Sequence, residues 1–379
     1  MNESSAMDVE TRLVHVGNDA LDPHGDLVPP IHLATTYDQR WQDPLAYFYG
    51  RGENPTRENL EACLASIEDA AHALAFSSGQ AAGMTVLSLL TPGQRVIASD
   101  DVYGGTYSLL GLAQRAGTPV TYVDLTDLDA LAAALADDVK LIWIETPTNP
   151  QLKVCDVRAV AEQAGRVGAY VVVDNTFAGP LLQRPLDLGA HASLYSTTKS
   201  MAGHSDVIGG ALVYNDDEIH RHLLTYRTAA GNVPSPFDCF LVQRGLKTMA
   251  LRVGRQVETA QRLAETLAEH PRVGAVHYPG LPTHPQHELA KRQMRAPGSI
   301  VTFDYQGDVQ LLLKRTSLWA VAVSLGSVHS LIECPAAMTH RPIPREQRLA
   351  LGITDTLVRL SPGIEAASDL VDDLLQALG

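Results

Sequence analysis

Short apolar runs alternate with helical segments from residue 72 to about residue 215, and this alternation is the feature that most limits how the chain can fold. One run, Tyr170 to Val173, is β-branched almost throughout. Such runs are typical of strands that helices cover on both faces, which favours a largely parallel sheet. We therefore predict an α/β fold whose ligands bind at the carboxyl ends of the strands. The predicted strands are Ala73 to Phe76, Arg95 to Ala98, Val120 to Val123, Leu141 to Ile144, Tyr170 to Val173, Ala192 to Tyr195 and Ile208 to Val213.

The length of 379 residues exceeds a single ordinary core and predicts more than one domain. Residues 1–52, rich in turns and prolines, are expected to form an extended arm that contacts a neighbouring subunit, although a strap on its own chain is equally compatible. Residues 53–245 are predicted to form the large sheet domain, and residues 246–379 a smaller C-terminal α/β domain. A long helical pattern from Pro236 to His270 is expected to bridge the two.

Composition and charge exclude several classes of function. The formal charge of -14, from 29 basic and 43 acidic residues, argues against nucleic acid and anionic membranes as partners. No apolar run is long enough to span a bilayer, and the N-terminal residues lack the apolar core of a signal peptide, so a cytoplasmic location is expected. The four cysteines have no paired spacing, which argues against a disulfide framework and against a zinc site. No metal is predicted.

Lys199 lies in the stretch Ala192 to Gly210, ASLYSTTKSMAGHSDVIGG, directly after a predicted strand. Hydroxyl residues flank it, including Ser196 and Thr198, and hydroxyls at such a place can bind an anionic phosphate. A lysine used as a covalent amine needs partial burial and neighbours that lower its pKa. Because most lysines are simply solvated, Lys199 is a candidate only together with residues at the other strand ends.

Two further strand ends carry groups suited to a planar, phosphorylated ligand. Ser78, Gly79 and Gln80 follow the run that ends at Phe76 and open a helix whose N–H groups can bind phosphate. Helix packing is the simpler explanation for such a small-residue turn. Tyr103 follows the next strand and could stack on a planar ring, although a loop tyrosine more often serves packing.

Asn149 and Asp174 complete this set of strand-end residues. Asn149 lies in the turn ETPTNP, where its amide could hydrogen-bond a phenolate oxygen, although turn formation alone explains an asparagine there. Asp174 ends a buried run, so its carboxylate needs a cationic partner such as a protonated pyridine nitrogen. A lysine, an aspartate, a stacking aromatic residue and a phosphate loop are together the groups with which proteins bind pyridoxal 5'-phosphate (PLP).

Four long motifs carry a resemblance to a known family: VVDNTF, YSTTKSMAGHSDVIGG, ETPTNP and VPSPFDCFLVQRGLKT. With them the chain resembles, from about Thr11 onward, the Cys/Met-metabolism (trans-sulfuration) family of PLP-dependent enzymes, which includes cystathionine γ-lyase, cystathionine γ-synthase and methionine γ-lyase. The resemblance implies the PLP-dependent transferase fold of type I, which is the fold of aspartate aminotransferase. It also implies a homotetramer, built as a dimer of dimers with shared active sites.

The resemblance assigns roles around the cofactor phosphate. Tyr49 and Arg51 would reach the phosphate bound in the neighbouring subunit. Ser196 and Thr198 would bind the phosphate within their own subunit, and Lys199 would form the Schiff base with the cofactor.

For the substrate, the resemblance implies that Arg359, in LVRLSPGIE, binds the α-carboxylate as a bidentate fork, with Asn149 and Ser324 beside it. Members that act on cystathionine usually carry an acid just before this serine, where the chain has Val323. They also carry a charged residue near the distal amino-acid group, in the places of Phe48 and Ser108. An apolar distal pocket is therefore expected. Methionine γ-lyases, however, typically have a cysteine where this chain has Gly105, so the pattern does not decide between the substrates.

The leading hypothesis is a γ-elimination lyase that acts on methionine, cystathionine or homocysteine and releases a thiol, 2-oxobutanoate and ammonia. Its catalytic residues would be Lys199, which moves the α-proton, Asp174, which keeps the pyridine nitrogen protonated, and Tyr103, which assists proton transfer to the leaving sulfur. A γ-replacement enzyme, either cystathionine γ-synthase or O-acetylhomoserine sulfhydrylase, would use the same residues. A noncatalytic member of the fold would be favoured only if Lys199 or Asp174 were missing, and both are present.

Overall fold

The computed structural model describes residues 7–18, 25–39 and 46–379. The predicted arm, residues 1–52, therefore lies partly outside the described residues. Trp41, one of the apolar residues of the arm, lies outside them. The chain divides into two compact units, one of residues 1–89 and 191–250 and the other of residues 90–190 and 251–379. We refer to them as the first and the second unit.

The regular elements alternate along the chain. The strands are β1 (His72–Phe76), β2 (Arg95–Ser99), β3 (Val120–Val123), β4 (Val139–Glu145), β5 (Tyr170–Asp174), β6 (Ala192–Tyr195), β7 (Gly210–Tyr214), β8 (Val273–His277), β9 (Val301–Tyr305), β10 (Ala320–Val321), β11 (Leu331–Glu333) and β12 (Leu357–Ser361). The helices are α1 (Val9–His15), α2 (Pro55–Ile67), α3 (Gly79–Leu87), α4 (Gly104–Arg115), α5 (Leu128–Ala134), α6 (Val157–Gly165), α7 (Gly179–Leu182), α8 (Asp217–Ala230), α9 (Pro236–Leu246), α10 (Met249–Ala268), α11 (His287–Gln293), α12 (Val309–Arg315), α13 (Arg345–Ala350) and α14 (Ala367–Leu378).

In the first unit, β7 lies between β1 and β6 and is antiparallel to both. Because β1 and β6 each oppose β7, they run in the same direction, and their carboxyl ends lie at one edge. The strands are buried on both faces, and Glu68 accepts hydrogen bonds from the hydroxyls of Ser193 and Tyr195 beneath β6. The segments after β1 and after β6 therefore meet at this edge.

In the second unit, a parallel sheet has the strand order β5-β4-β2-β3. Helices α5 and α6 cover it, and Leu131, Val157 and Val160 pack on strand residues such as Ile142 and Val171. Because the strands are parallel, the residues after β2, β4 and β5 lie at the same edge.

A second sheet of the same unit has the order β10-β11-β12-β9-β8. Its core is formed with α10, α12 and α14, whose buried residues include Leu263, Leu312 and Leu374. Glu333 at the end of β11 stands opposite Arg359 in β12. This antiparallel register brings two oppositely charged side chains together in a buried position.

All seven strands predicted between residues 72 and 215 are present, with ends shifted by at most two residues. The predicted long helix from Pro236 to His270 is instead two helices, α9 and α10. The chain turns between them because the N–H groups of Lys247 and Thr248 both donate to the carbonyl of Gly245 and leave the α-helical pattern. A helix, α1, also lies within the arm that was expected to be extended. The domain division at residues 52 and 245 stays a prediction.

Within the described ranges, no helix has both the length and the apolar composition needed to cross a membrane.

Gly210, the first residue of β7, is expected to tolerate no side chain. A Cβ there would lie 2.3 Å from the carbonyl oxygen of Ser78 and 2.7 Å from the nitrogen of Gly79, which belong to backbone at the start of α3. We predict that Gly210→Ala lowers the free energy of unfolding by about 1–3 kcal/mol, the usual cost of overpacking. Urea denaturation followed by circular dichroism measures this.

Gly111, inside α4, is the matched control, because a Cβ there meets nothing within 4 Å. Gly111→Ala should raise the free energy of unfolding by about 0.5–1 kcal/mol, since alanine is the better helix former. Equal effects of the two substitutions would contradict the close approach at Gly210.

Candidate active site

In the first unit, the segment after β1 forms a cradle for an anion. Ser78 caps α3, and its Oγ accepts a hydrogen bond of 3.0 Å from the N–H of Ala81. The first intrahelical bond runs from Ala82 to the carbonyl of Ser78, so the N–H groups of Gly79 and Gln80 precede the helical pattern. These N–H groups lie at the positive end of the helix, which suits a phosphate.

Ser196 lies against this cradle. A Cβ on Gly79 would be 3.2 Å from the Cβ of Ser196, so glycine allows the two segments to touch. The structure thus brings together four of the predicted phosphate-binding residues: Ser78, Gly79, Gln80 and Ser196.

Lys199 follows β6 in a tight turn. Its N–H donates to the carbonyl of Ser196 over 3.2 Å, its own carbonyl accepts from Gly203 over 2.8 Å, and its side chain is half-buried. Thr198 is held by backbone, because its hydroxyl accepts from the N–H of Gly209 at 3.0 Å and donates to the Gly209 carbonyl at 3.2 Å. The turn that carries Lys199 thus begins at Ser196, which lies against the anion cradle.

Tyr49 and Arg51 lie on the surface of the first unit. The Arg51 guanidinium donates from Nη1 to the Thr228 carbonyl over 2.6 Å and lies 5.7 Å from the centre of the Tyr49 ring. Together with Phe48 and neighbouring residues they line an open cavity of about 440 Å³. A cation and a phenol on one open surface can bind an anion.

In the second unit, two carboxyl groups end adjacent parallel strands. Glu145 and Asp174 are register partners at the ends of β4 and β5. Burial raises the pKa of Glu145 well above its ordinary value, and the negative charge of Asp174 raises it further. Glu145 accepts a hydrogen bond from the N–H of Tyr103 over 2.9 Å, whereas Asp174 accepts one from Thr176 over 3.1 Å. Two adjacent carboxyl groups, one of them with a raised pKa, suit a single cationic ligand atom here.

The three predicted substrate-binding residues of this unit are in contact. Arg359 is 2% exposed, and its Nη1 donates to Oδ1 of Asn149 over 2.8 Å. Its Nη2 donates to the carbonyl of Ser324 over 2.9 Å and lies 2.9 Å from Oε1 of Glu333. Burial lowers the pKa of Arg359, and the charge of Glu333 opposes that shift. This is a buried cation, held in a fixed orientation, of the kind that binds carboxylates.

Tyr103 begins α4 and is 40% exposed. Burial raises the pKa of its phenol, and the nearby charge of Arg359 opposes this shift. An accessible ring held by its backbone to Glu145 is suited to stacking on a planar ligand.

Sequence analysis did not identify Glu145, Glu333 and His340 as site residues. Glu145 closes an apolar run as Asp174 does, so the same signal was available in the ETPTNP motif. Glu333 and His340 carried no such signal, because their partners lie in distant segments: Arg359 for Glu333, and the Asn149 carbonyl for His340.

In the part of the chain that the structure describes, no group of three or more histidine, cysteine, aspartate or glutamate side chains could hold a metal ion. Each unit nevertheless contains groups that fit PLP. The first has an anion cradle and, in the turn after β6, a half-buried lysine, and the second has paired carboxyl groups for a pyridinium and a guanidinium for an α-carboxylate. The donor set therefore suits this cofactor and an amino-acid substrate.

The chain is similar to several known proteins along its whole length. A cystathionine γ-lyase of Micromonospora echinospora, solved by crystallography, is 60% identical with a TM-score of 0.96, covering 98% of this chain and 99% of that one. An apo methionine γ-lyase structure from the same organism is 58% identical with a TM-score of 0.94, covering 99% and 100%. A cystathionine γ-synthase of Mycobacterium bovis is 48% identical over 97% of this chain and 96% of its own length.

These scores confirm the predicted α/β fold, that of the type I PLP-dependent enzymes. The family model for Cys/Met metabolism PLP-dependent enzymes matches residues 10–379. The chain therefore belongs to the Cys/Met metabolism family of PLP-dependent enzymes.

Proposed function

We propose that this enzyme is a γ-elimination lyase of sulfur amino acids, which releases a thiol, 2-oxobutanoate and ammonia. The observation that carries the proposal is the buried Arg359 guanidinium, which Asn149 and Ser324 orient. A fixed, desolvated guanidinium selects the α-carboxylate that every amino-acid substrate of this class shares. The relatives named as cystathionine γ-lyase and methionine γ-lyase support it.

PLP, when bound, supplies an electron sink that stabilises negative charge on the substrate carbon atoms. Lys199 would hold the cofactor through its aldehyde, and its amine, when free, would take up the α-proton. Asp174 would keep the pyridine nitrogen protonated by its negative charge. Tyr103 would hold the ring by stacking and would donate its phenolic proton toward the leaving sulfur.

In this enzyme the phosphate would be bound by Ser78, Gly79, Gln80, Ser196 and Thr198. The N–H groups of this set and the hydroxyls of Ser78 and Ser196 can donate hydrogen bonds to an anion, whereas the Thr198 hydroxyl already donates to the Gly209 carbonyl.

Tyr49 and Arg51 are assigned to the cofactor phosphate of a neighbouring subunit. Their exposure on an open cavity supports this assignment, because a cation that served its own subunit's buried site would be covered. A homotetramer with shared sites and a cytoplasmic location are part of the same proposal.

The second candidate is a γ-replacement enzyme, and the similarity to a cystathionine γ-synthase favours it. Such an enzyme uses the same residues but combines the unsaturated product with a second thiol. Val323, whose side chain is 52% exposed, offers no charge for the distal ammonium of cystathionine, which favours elimination from methionine.

Lys199→Ala should abolish turnover of sulfur amino acids and the visible absorption band of the covalently held cofactor, since no other group at this position can bond to the aldehyde. Steady-state kinetics and absorption spectra measure both. The control is Lys291→Ala, a lysine whose side chain is 60% exposed and which pairs only with Glu288 among the contacts described. Near-normal turnover in Lys199→Ala would contradict the catalytic assignment, provided that its circular dichroism is unchanged.

Mixed subunits test the roles of Tyr49 and Arg51. Arg51→Ala chains and Lys199→Ala chains should each be inactive, but hybrids of the two should recover activity because one site in each dimer then contains both residues. For random mixing of equal amounts, about a quarter of the sites should be intact if the site is shared between two subunits. Hybrids verified by mass spectrometry that stay inactive would contradict the shared site.

Substrate preference tests the apolar distal pocket. Methionine should compete well against cystathionine, because Val323 offers the distal ammonium of cystathionine no charged partner to replace the water that it loses on binding. Val323→Glu should raise the kcat/KM for cystathionine relative to that for methionine. The change should correspond to about 1–3 kcal/mol, the scale of one charged hydrogen bond. Val323→Gln is the uncharged control. A strong native preference for cystathionine that Val323→Glu leaves unchanged would overturn the argument, and product analysis with added cysteine separates elimination from replacement.

A further inference from the structure

Arg359 is already paired with an acid before any substrate binds. Glu333 is 1% exposed, and its Oε1 lies 2.9 Å from Nη2 of Arg359. The two residues are register partners on β11 and β12, so the backbone itself fixes their approach. A buried guanidinium needs a counter-charge, and Glu333 supplies it.

A closed ring of polar contacts surrounds this pair. Thr339 donates its hydroxyl proton to Oε1 of Glu333 over 2.8 Å, and the same hydroxyl lies 3.0 Å from Nδ1 of His340. Nε2 of His340 in turn lies 2.8 Å from the Asn149 carbonyl, and Asn149 returns to Arg359 through its Oδ1. The ring thus connects two partners of the guanidinium, Glu333 and Asn149, through Thr339 and His340.

The hydrogen-bond roles in this ring place two acceptors around one hydroxyl proton. The Asn149 carbonyl can only accept, so Nε2 of His340 donates to it, and burial lowers the pKa of His340 to about 4, which leaves Nδ1 without a proton at neutral pH. The single hydroxyl proton of Thr339 then faces two acceptors, Glu333 and His340. Because the hydroxyl shares its proton with His340, it offsets less of the negative charge on Glu333.

We propose that Glu333 is an affinity-determining positioning residue, which competes with the substrate α-carboxylate for Arg359 and so keeps substrate binding weak and reversible. The inference rests on the proposed role of Arg359. An incoming carboxylate meets a guanidinium that is oriented but already neutralised, and it is repelled by the like charge of Glu333. Because this carboxylate keeps its charge throughout the reaction, the repulsion weakens binding of substrate and transition state alike and raises KM without lowering kcat.

The test measures binding of 4-(methylsulfanyl)butanoate, which is methionine without its amino group, to the holoenzyme by calorimetry. The ligand cannot react, because it has no amine to displace Lys199. In Glu333→Gln the Kd should fall about tenfold, because the competing charge is gone while the amide oxygen still accepts from Thr339. The neutral 4-(methylsulfanyl)butanamide should show no such change. An unchanged or higher Kd for the carboxylate would overturn the proposal.

Thr339→Val gives a second test with the opposite sign, should Glu333→Gln fail to fold. Valine keeps the shape but removes the hydroxyl, so the undivided charge of Glu333 acts on Arg359 and the Kd should rise about two- to threefold. A lower Kd would contradict the proposal. Glu365→Gln is the matched control, since this carboxylate of the same unit binds Ser330 and should leave the Kd unchanged.

Failure of the inference and failure of the proposed function give different results. Turnover of sulfur amino acids with no change of Kd in Glu333→Gln would reject the inference alone. Tighter carboxylate binding in an enzyme that turns over no sulfur amino acid would reject the proposed function alone.

Discussion

The buried charge of Arg359 is the constraint on which the polar groups of the second unit depend. A guanidinium that is 2% exposed is costly unless ion pairs and hydrogen bonds replace its water. The replacements come from three separate segments: the turn that holds Asn149, the turn at Ser324 and the end of β11 at Glu333. Ser324 has a φ of 94°, a conformation rare outside glycine, and its carbonyl accepts from the guanidinium. The buried charge of Arg359 thus accounts for the unusual backbone conformation of Ser324, which packing alone would not favour.

The buried strands and the residues at their ends could be predicted from the sequence, because each depends only on neighbouring residues. Uninterrupted apolar runs identify strands buried on both faces, and the residue after such a run lies at a sheet edge whatever the tertiary fold. This is why Asp174, Tyr103 and Lys199 could be chosen as candidates without coordinates. The resemblance to a family added Arg359 and Ser324, which lie in no comparably distinctive local pattern.

The parts that could not be predicted depend on pairing between distant segments. In the sequence, Glu333 is only a polar residue at the end of a short apolar run. The register of β11 on β12 places it beside a guanidinium. His340 has its partner 191 residues away. The break between α9 and α10 follows from hydrogen bonds at a single carbonyl, that of Gly245, in a segment whose composition is helical throughout. Such contacts do not change the hydrophobic periodicity of the sequence, so they cannot be predicted from it.

The pairing of β1 with β7 has a consequence for how the protein is made. Phe76 is the register partner of Gly210, which follows it by 134 positions in the chain. At a synthesis rate of roughly 5–20 residues per second, β1 is translated about 7–27 seconds before its partner exists. During that interval an apolar strand that is buried in the finished fold has an unsatisfied edge, which is the kind of surface that chaperones recognise and that aggregates form from. The enzyme's yield in a cell is therefore set in part by how well β1 is shielded until the ribosome reaches β7.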